Sequence, residues 1–318
     1  MRLTDSEIYL DPAESREIAI LSHAHSDHIG RHDHFIATAP TASFLRARNG
    51  HDLKGTELRY REPASFGGYE IELFSAGHIL GSAMVRVRKA GQTLLYTGDF
   101  RLRPSLTAEP ADVPQCDSLI MESTYGSPEW KFPSRELLGA QLADLVRSIT
   151  RRGKTAVLLA YSLGKAQETC RMLAGSGVSI VLHPIAARLS EIYEKHGVKL
   201  GDFEIWSLQS QLFSHRTTTD LRGKALIVAP HMRSDIQRIR NKETVALTGW
   251  ALGVRPRTTD HALPLSDHAD FEELLEVVER SAAKIVHVTH GSVRFARELR
   301  KRGVQAEFLR GRPQMKLF

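Results

Sequence analysis

The decapeptide LSHAHSDHIG, residues 21–30, brings His23, His25, Asp27 and His28 within six positions, directly behind an apolar run. In an extended chain, or the turn that follows one, residues two apart project the same way. His23 and His25 therefore share a side, while Asp27 and His28 follow on a bend that ends at Gly30. Imidazoles with a carboxylate suit zinc or manganese, and four such groups this close could serve two ions. A solvated histidine-rich loop is the plain alternative. Further groups stand singly where loops should fall: His78 in SAGHILGS, Asp99 in LLYTGDF and His290 in VHVTHGS, each closing an apolar run. One such residue alone is commonly a turn or capping group; three in the same situation point to ligands gathered from separate strand ends.

The elements that must position these groups read as mixed α/β. Short apolar runs predict strands at EIAILSH, HFIATA, YEIELFSA and SLIMES, and a hairpin in SAMVRVRKAGQTLLYTGD turning at Ala90 and Gly91, so that nearly all of the first third reads as strand. From Ser134 the period changes. SRELLGAQLADLVRSITRRG repeats Leu137, Leu138, Leu142 and Leu145 at helical spacing, and strand and helix then alternate as in a doubly wound layer. The last fifth returns to the first style, with Asp270 as an N-cap and Glu273 three residues on. No repeat or low-complexity tract interrupts the chain, and the middle reads as an insertion into a domain whose two ends come together.

Composition sets limits on function. With 318 residues and 42% hydrophobic content the chain can bury a large core. Cys116 and Cys170 are its two cysteines and form no CxxC, which argues against a disulfide framework or a cysteine-zinc knuckle. The acidic N-terminal stretch is unlike a signal peptide, and no run approaches a membrane span, so the chain reads as cytoplasmic, with no membrane partner. A net charge of +6 is compatible with a polyanionic partner and proves none.

Together, HAHSDH, AGHILGS and YTGDF resemble the metallo-β-lactamase fold hydrolases, and MESTYG, AYSLGKAQE, LPLSDHADFEEL and VTHG look like the β-CASP nucleases of that superfamily. The motifs run in family order from about Asp11 to His290, and the compact length is most similar to the bacterial ligase-associated DNA exonucleases, also described as mRNA 3′-end processing factors. The resemblance implies an αββα sandwich with an inserted compact β-CASP α/β domain. The divisions expected are 1–150 for the first part of the metallo-β-lactamase domain, 151–250 for the insertion and 251–318 for the second part.

By the same resemblance His23, His25 and His78 hold one divalent ion, Asp27, His28 and His290 a second, and Asp99 bridges the two, the ions being Zn2+, Mn2+ or both. Asp11 supports the histidine loop without binding metal. Glu122 orients His268, the general acid that protonates the leaving oxygen while hydroxide attacks phosphorus. Tyr125 and Ser123 read as packing or supporting groups.

Ser162, Gly164 and Lys165 lie between a strand end and a helix start, where N–H groups and an ammonium favour phosphate; Arg233 and Ser234, with His231, stand at a second strand end. Either place also reads as an ordinary turn. Trp250 in TGWALG reads as a base-stacking or a core residue. The function implied first is a DNA exonuclease, 5′-to-3′ on single strands, working in repair with a DNA ligase and a helicase. An RNA nuclease is the alternative, favoured by His290, which is common in RNA-acting relatives. A non-catalytic nucleic-acid-binding subunit is the alternative of another class, and the filled ligand positions argue against it.

Overall fold

The computed structural model describes residues 1–50, 52–207, 217–218, 220–253 and 258–309. The chain divides into two compact units: Met1–Lys131 joined by the segment from His268 onward, and Phe132–Asp267.

The first unit opens with β1 (Ile8–Leu10), β2 (Ile18–Ile20), β3 (His34–Ala37), α1 (Ala39–Asn49) and β4 (Gly55–Glu57), the four strands forming one parallel sheet in that order. Helix α1 stands where sequence reading saw only strand. Thr38 caps it, Pro40 lies in its first turn, and the side it buries carries Thr41 and Ala42 beside Phe44 and Leu45. A buried face so rich in small and polar residues leaves little apolar periodicity to read.

Next come β5 (Ala64–Phe66), β6 (Tyr69–Ser75), β7 (Ala83–Lys89), β8 (Gln92–Tyr96) and β9 (Ser118–Ser123). Ala90 and Gly91 both have positive φ and form the expected two-residue turn between β7 and β8.

The second unit holds α2 (Arg135–Arg151), β10 (Thr155–Leu159), α3 (Lys165–Leu173), β11 (Ile180–Leu182), α4 (Pro184–Lys195), β12 (Glu204–Trp206), β13 (Thr217–Thr218), β14 (Ala225–Val228), α5 (Arg233–Ile236), β15 (Lys242–Leu247) and β16 (His261–Leu263). Its strands form one parallel sheet ordered β13-β12-β11-β14-β10-β15-β16, around a core that includes Val157, Leu159, Val181, Leu226 and Val228. Helix α2 buries Leu138, Leu142, Val146 and Ile149, while Leu137 is exposed. Because α2 packs on α3 and β10, residues 135–151 lie with the second unit, and the compact units part at 131/132 and 267/268 where the sequence suggested 150/151 and 250/251.

The chain then returns to the first unit with α6 (Phe271–Ser281), β17 (Ile285–Gly291), α7 (Val293–Lys301) and β18 (Ala306–Phe308). Asp270 accepts from the N–H groups of Glu272 and Glu273 and Glu273 accepts from that of Asp270, the expected capping box. The second sheet is ordered β18-β17-β9-β8-β7-β6-β5. Its strands alternate strictly, Ile71, Leu73, Leu94, Tyr96 and Ile120 packing against Ile8, Leu10, Ile20 and Ile36 of the first sheet. Phe74, Leu95, Leu119 and Met121 turn the other way, onto Phe271, Leu274, Phe295 and Leu299 of α6 and α7. The outer face of the first sheet packs on Ala42 and Leu45 of α1. Helix, sheet, sheet and helix thus lie in four layers, the αββα sandwich. Among the described residues no helix is long and apolar enough to cross a membrane.

Candidate metal centre

The histidine loop follows β2, and a buried network fixes it. Asp11, at the end of β1, accepts from the Ser22 N–H at 2.7 Å and the Tyr96 hydroxyl at 2.9 Å, and lies 2.9 Å from Nδ1 of His28. Although burial opposes ionisation, His28 and the Ser22 bonds hold the Asp11 carboxyl below its ordinary range. Ser22 Oγ also lies 3.0 Å from Nδ1 of His23, leaving Nε2 of that ring to face Asp99. Two glycines set the opposing loops. Gly77, with φ 73°, precedes His78, and a Cβ there would lie 2.1 Å from the Arg101 carbonyl oxygen; Gly98, with φ 55°, precedes Asp99, and its Cβ would lie 2.5 Å from Ser22 Oγ.

Four side chains converge as a result: ligand atoms of His23, His25, His78 and Asp99 all lie within 4.8 Å of one another. Oδ2 of Asp99 is 3.5 Å from Nε2 of both His23 and His28 and 3.8 Å from Nε2 of His78. These separations are long for hydrogen bonds and close to the roughly 3.3 Å expected between two ligands about 2.0–2.1 Å from a shared tetrahedral ion. Nε2 of His23 is buried without a hydrogen-bond partner. Burial, then the neighbouring imidazoles, press the His23 pKa well below 6.5, so the ring is neutral and able to ligate. The donor set therefore fits a divalent ion.

The remaining expected ligands gather more loosely. Nε2 of His28 lies 3.8 Å from Asp27, an exposed carboxylate, and its ring centroid is 5.9 Å from that of His290. His290 sits at a break in the β17–β9 register between Thr289 and Gly291, with φ 45°, which turns it away from the ladder; Ser123 Oγ donates to its carbonyl at 2.6 Å. Asp27, His28 and His290 all line a cleft of about 610 Å³. Burial works against the His28 cation, but the Asp99 charge and the Asp11 bond outweigh it and raise its pKa to about 10, so that ligation of an ion through His28 would release a proton.

His268 completes the cluster. Both carboxylate oxygens of Glu122 lie near its Nδ1, at 2.8 and 3.0 Å, and its Nε2 is 3.8 Å from Asp99. Burial would raise the Glu122 pKa, yet His268, the Thr124 hydroxyl and the Phe100 N–H hold it down to about 2. Burial pushes Asp99 up to about 6, with His268 opposing and Glu122 adding to the rise. The α6 capping box braces the same corner: Glu273 accepts from the N–H groups of Leu102 and Arg103 at 2.8 and 2.6 Å, and the Ala269 N–H donates to the Phe100 carbonyl at 2.7 Å.

Sequence reading passed over Ser22, Tyr96 and Thr124. Each adjoins a motif residue, but nothing in its spacing says which carboxylate it meets, and Tyr96 reaches Asp11 across 85 positions.

In the second unit Ser162, Gly164 and Lys165 meet between β10 and α3, while Arg233 and Ser234 open α5 behind the neighbouring strand β14. The Gly164 N–H is taken by Gln167 at 2.8 Å, and Ser162 Oγ is buried without a partner. Nζ of Lys165 is buried 3.1 Å from Asp267, so its charge is met within the unit. Replacing it removes the cation beside a buried carboxylate: Lys165→Ala should cost about 3–5 kcal/mol, read by urea unfolding. A loss under 1 kcal/mol would show that the pair holds nothing.

Residues 254–308 match the family described as "Zn-dependent metallo-hydrolase RNA specificity domain". A "Probable DNA ligase" of Opitutus terrae is 34% identical over 312 residues, covering 94% of this chain and 29% of that protein. "5' exonuclease Apollo" of Gallus gallus is 27% identical over 89% of this chain and 61% of its own length. An "RNase J-like protein" of Methanocaldococcus jannaschii is 32% identical over 48% of this chain and 42% of its own length. The chain thus spans between about a third and three fifths of these relatives. A solved structure of a protein of unknown function from Enterococcus faecalis shares the fold, with a TM-score of 0.65 at 15% identity over 93% of this chain and 80% of that one. Motif order, the four-layer sandwich and these relatives agree in their likeness to the β-CASP nucleases of the metallo-β-lactamase fold.

Proposed function

We propose that the chain is a metal-dependent phosphodiesterase that degrades single-stranded DNA from the 5′ end in repair, with the second unit as its β-CASP insertion. The observation that carries the hydrolase reading is the His268–Glu122 pair set against the Asp99 cluster. His23, His25 and His78 would hold one ion, Asp27, His28 and His290 a second, and Asp99 both, zinc or manganese suiting these donors. The chemistry supplied by ions held there would be a lowered pKa for a bound water and an offset to charge gathering on phosphorus. The protein's own groups do the rest. Glu122 stays ionised and holds the Nδ1–H of His268, so Nε2 presents its proton towards the cluster, where the departing sugar oxygen needs one. Asp11, through Ser22 and His28, keeps the imidazoles aimed inward.

The name of the DNA ligase relative supports DNA as substrate and a ligase as partner, and that of Apollo supports exonuclease action at a 5′ end; the repair setting and a helicase partner follow from the sequence resemblance alone. The RNA-specificity description of the segment holding His268 and His290, with the RNase J-like relative, favours the second reading, an RNA nuclease. Matched 5′-labelled DNA and RNA strands, each incubated with manganese or zinc, decide between them. DNA exonuclease action releases label early as mononucleotide or short oligomer from DNA and leaves RNA intact. Preferential RNA cleavage moves the substrate to RNA, and release beginning at the 3′ end reverses the polarity.

A further inference from the structure

Strands β14, β10 and β15 are neighbours in the parallel sheet of the second unit, and residues 220–224, 151–154 and 237–242 lead into them. These three segments meet at the amino edge of the sheet, the opposite edge from Lys165 at the start of α3. Together they carry eight lysines and arginines and a single acid, Asp220. Four acids stand beside this charge. Glu243 lies 2.7 Å from Arg152 and 2.8 Å from Lys154, Glu204 lies 2.8 Å from Lys224, Asp220 accepts from the Arg222 N–H at 3.0 Å, and Asp260 accepts from the Thr244 hydroxyl at 2.8 Å. Arg151, Arg222, Arg238 and Arg240 are exposed, and none of them forms an ion pair among the described residues. Residues 51, 208–216, 219, 254–257 and 310–318 contain no aspartate or glutamate, so every acidic side chain of the chain is accounted for and the edge is net positive.

Between the segments lies a cleft of about 360 Å³ with an apolar wall of Trp206, Leu221 and Ile239, and Arg222 and Arg238 line it too. Its sides are pinned. Thr155 donates its hydroxyl to the Leu221 carbonyl at 2.8 Å and its N–H to the Asn241 carbonyl at 2.9 Å, and the Lys242 ammonium donates to the Ile239 carbonyl at 2.8 Å. A ligand entering a cleft already held in this way has little ordering left to do.

Cations gathered without anions repel one another, and an anionic ligand relieves that repulsion. The wall sets a second condition, an apolar group on the same ligand. A nucleic-acid strand brings phosphates, but its bases need open aromatic faces, and Trp206 is 8% exposed. An inorganic anion leaves the wall bare. An acidic peptide with one apolar side chain meets both conditions, because carboxylates match the guanidinium fork and the side chain fills the cleft.

We propose that this amino edge docks an acidic segment of a partner protein, one apolar side chain entering the cleft while flanking carboxylates pair with Arg222 and Arg238. The site lies within the second unit and stands whether or not the nuclease reading does. Full-length protein is titrated into fluorescein-labelled peptides of glutamate and aspartate with a central Leu, Ile, Met or Phe, and anisotropy is followed. At least one peptide should bind saturably, and replacing its central residue by Ala should weaken it about tenfold. Arg222→Gln and Arg238→Gln together should weaken it about tenfold and flatten its salt dependence. Arg297→Gln, which removes an exposed charge from α7, should leave binding unchanged. Arg222 and Arg238 are exposed and outside any ion pair, and thermal melts confirm that the variants fold.

Binding that ignores the central residue, or that falls equally with Arg297→Gln, is attraction to net charge and overturns the docking site. So does the absence of saturable binding across the whole set. Oligothymidylate that binds more tightly than every peptide and weakens with Arg222→Gln and Arg238→Gln overturns it in favour of a nucleic acid.

Discussion

Asp99→Ala is expected to abolish turnover and strip the protein of tightly bound divalent metal. Asp99 Oδ2 lies within 3.5–3.8 Å of Nε2 of His23, His28, His78 and His268, and it is the carboxylate that these rings share. Without it the rings lose the carboxylate they share, and the exposed Asp27 beside His28 is a poor substitute, so zinc or manganese content should fall towards zero by elemental analysis. Activity should drop roughly a thousandfold or more, the several kcal/mol that metal catalysis supplies. Circular dichroism separates this from unfolding, since the neighbouring hydrophobic layers are untouched. Retention of a full metal complement would show that Asp99 does not bridge, and would leave the histidines and Asp27 as the binding set.

His268→Ala should lose turnover while keeping its metal. A positioned general acid contributes typically 10²–10⁴-fold, and a sugar alkoxide is a poor leaving group that needs its proton. The ring lies at the edge of the cluster, its Nδ1 held by Glu122, so its removal leaves the imidazoles of His23, His25 and His78 in place. The loss should depend on the leaving group. A nitrophenyl ester of a nucleotide departs without protonation, and His268→Ala should cleave it at close to the wild-type rate while failing on a natural diester. Equal losses on both substrates would remove the general-acid role and point to a binding one.

Much of the site was legible because its ligand types are rare and their spacing is local. HAHSDH packs three imidazoles and a carboxylate into one turn, and nothing but position along the chain is needed to see it. Strands β6 to β9 of the second sheet were equally visible, since Ile71, Leu73, Leu94 and Ile120 alternate with residues buried on the opposite face, whereas the three-residue β5 and β18 were not. Helix α1 was not, because Thr41 and Ala42 fill its buried side. The compact-unit boundaries left a trace in the change of period at Ser134 and the N-cap at Asp270, but the expected divisions at 150/151 and 250/251 did not follow it, because that α2 packs on α3 and β10 is a tertiary contact.

The sequence by itself determined which groups are available for chemistry and the order in which strands and helices present them. Tertiary structure alone decided their partners. Asp11 reaches Tyr96, and Glu122 reaches His268 across 146 positions, through contacts that exist only once two sheets have stacked and α6 has docked. It also decided that Lys165 faces a carboxylate within its own unit, and that Tyr161 and Trp250 stand exposed on adjacent strand ends. Periodicity records which way a side chain points from its own element. What it then meets depends on elements distant in sequence, and for a buried charge that partner sets both its ionisation and its role.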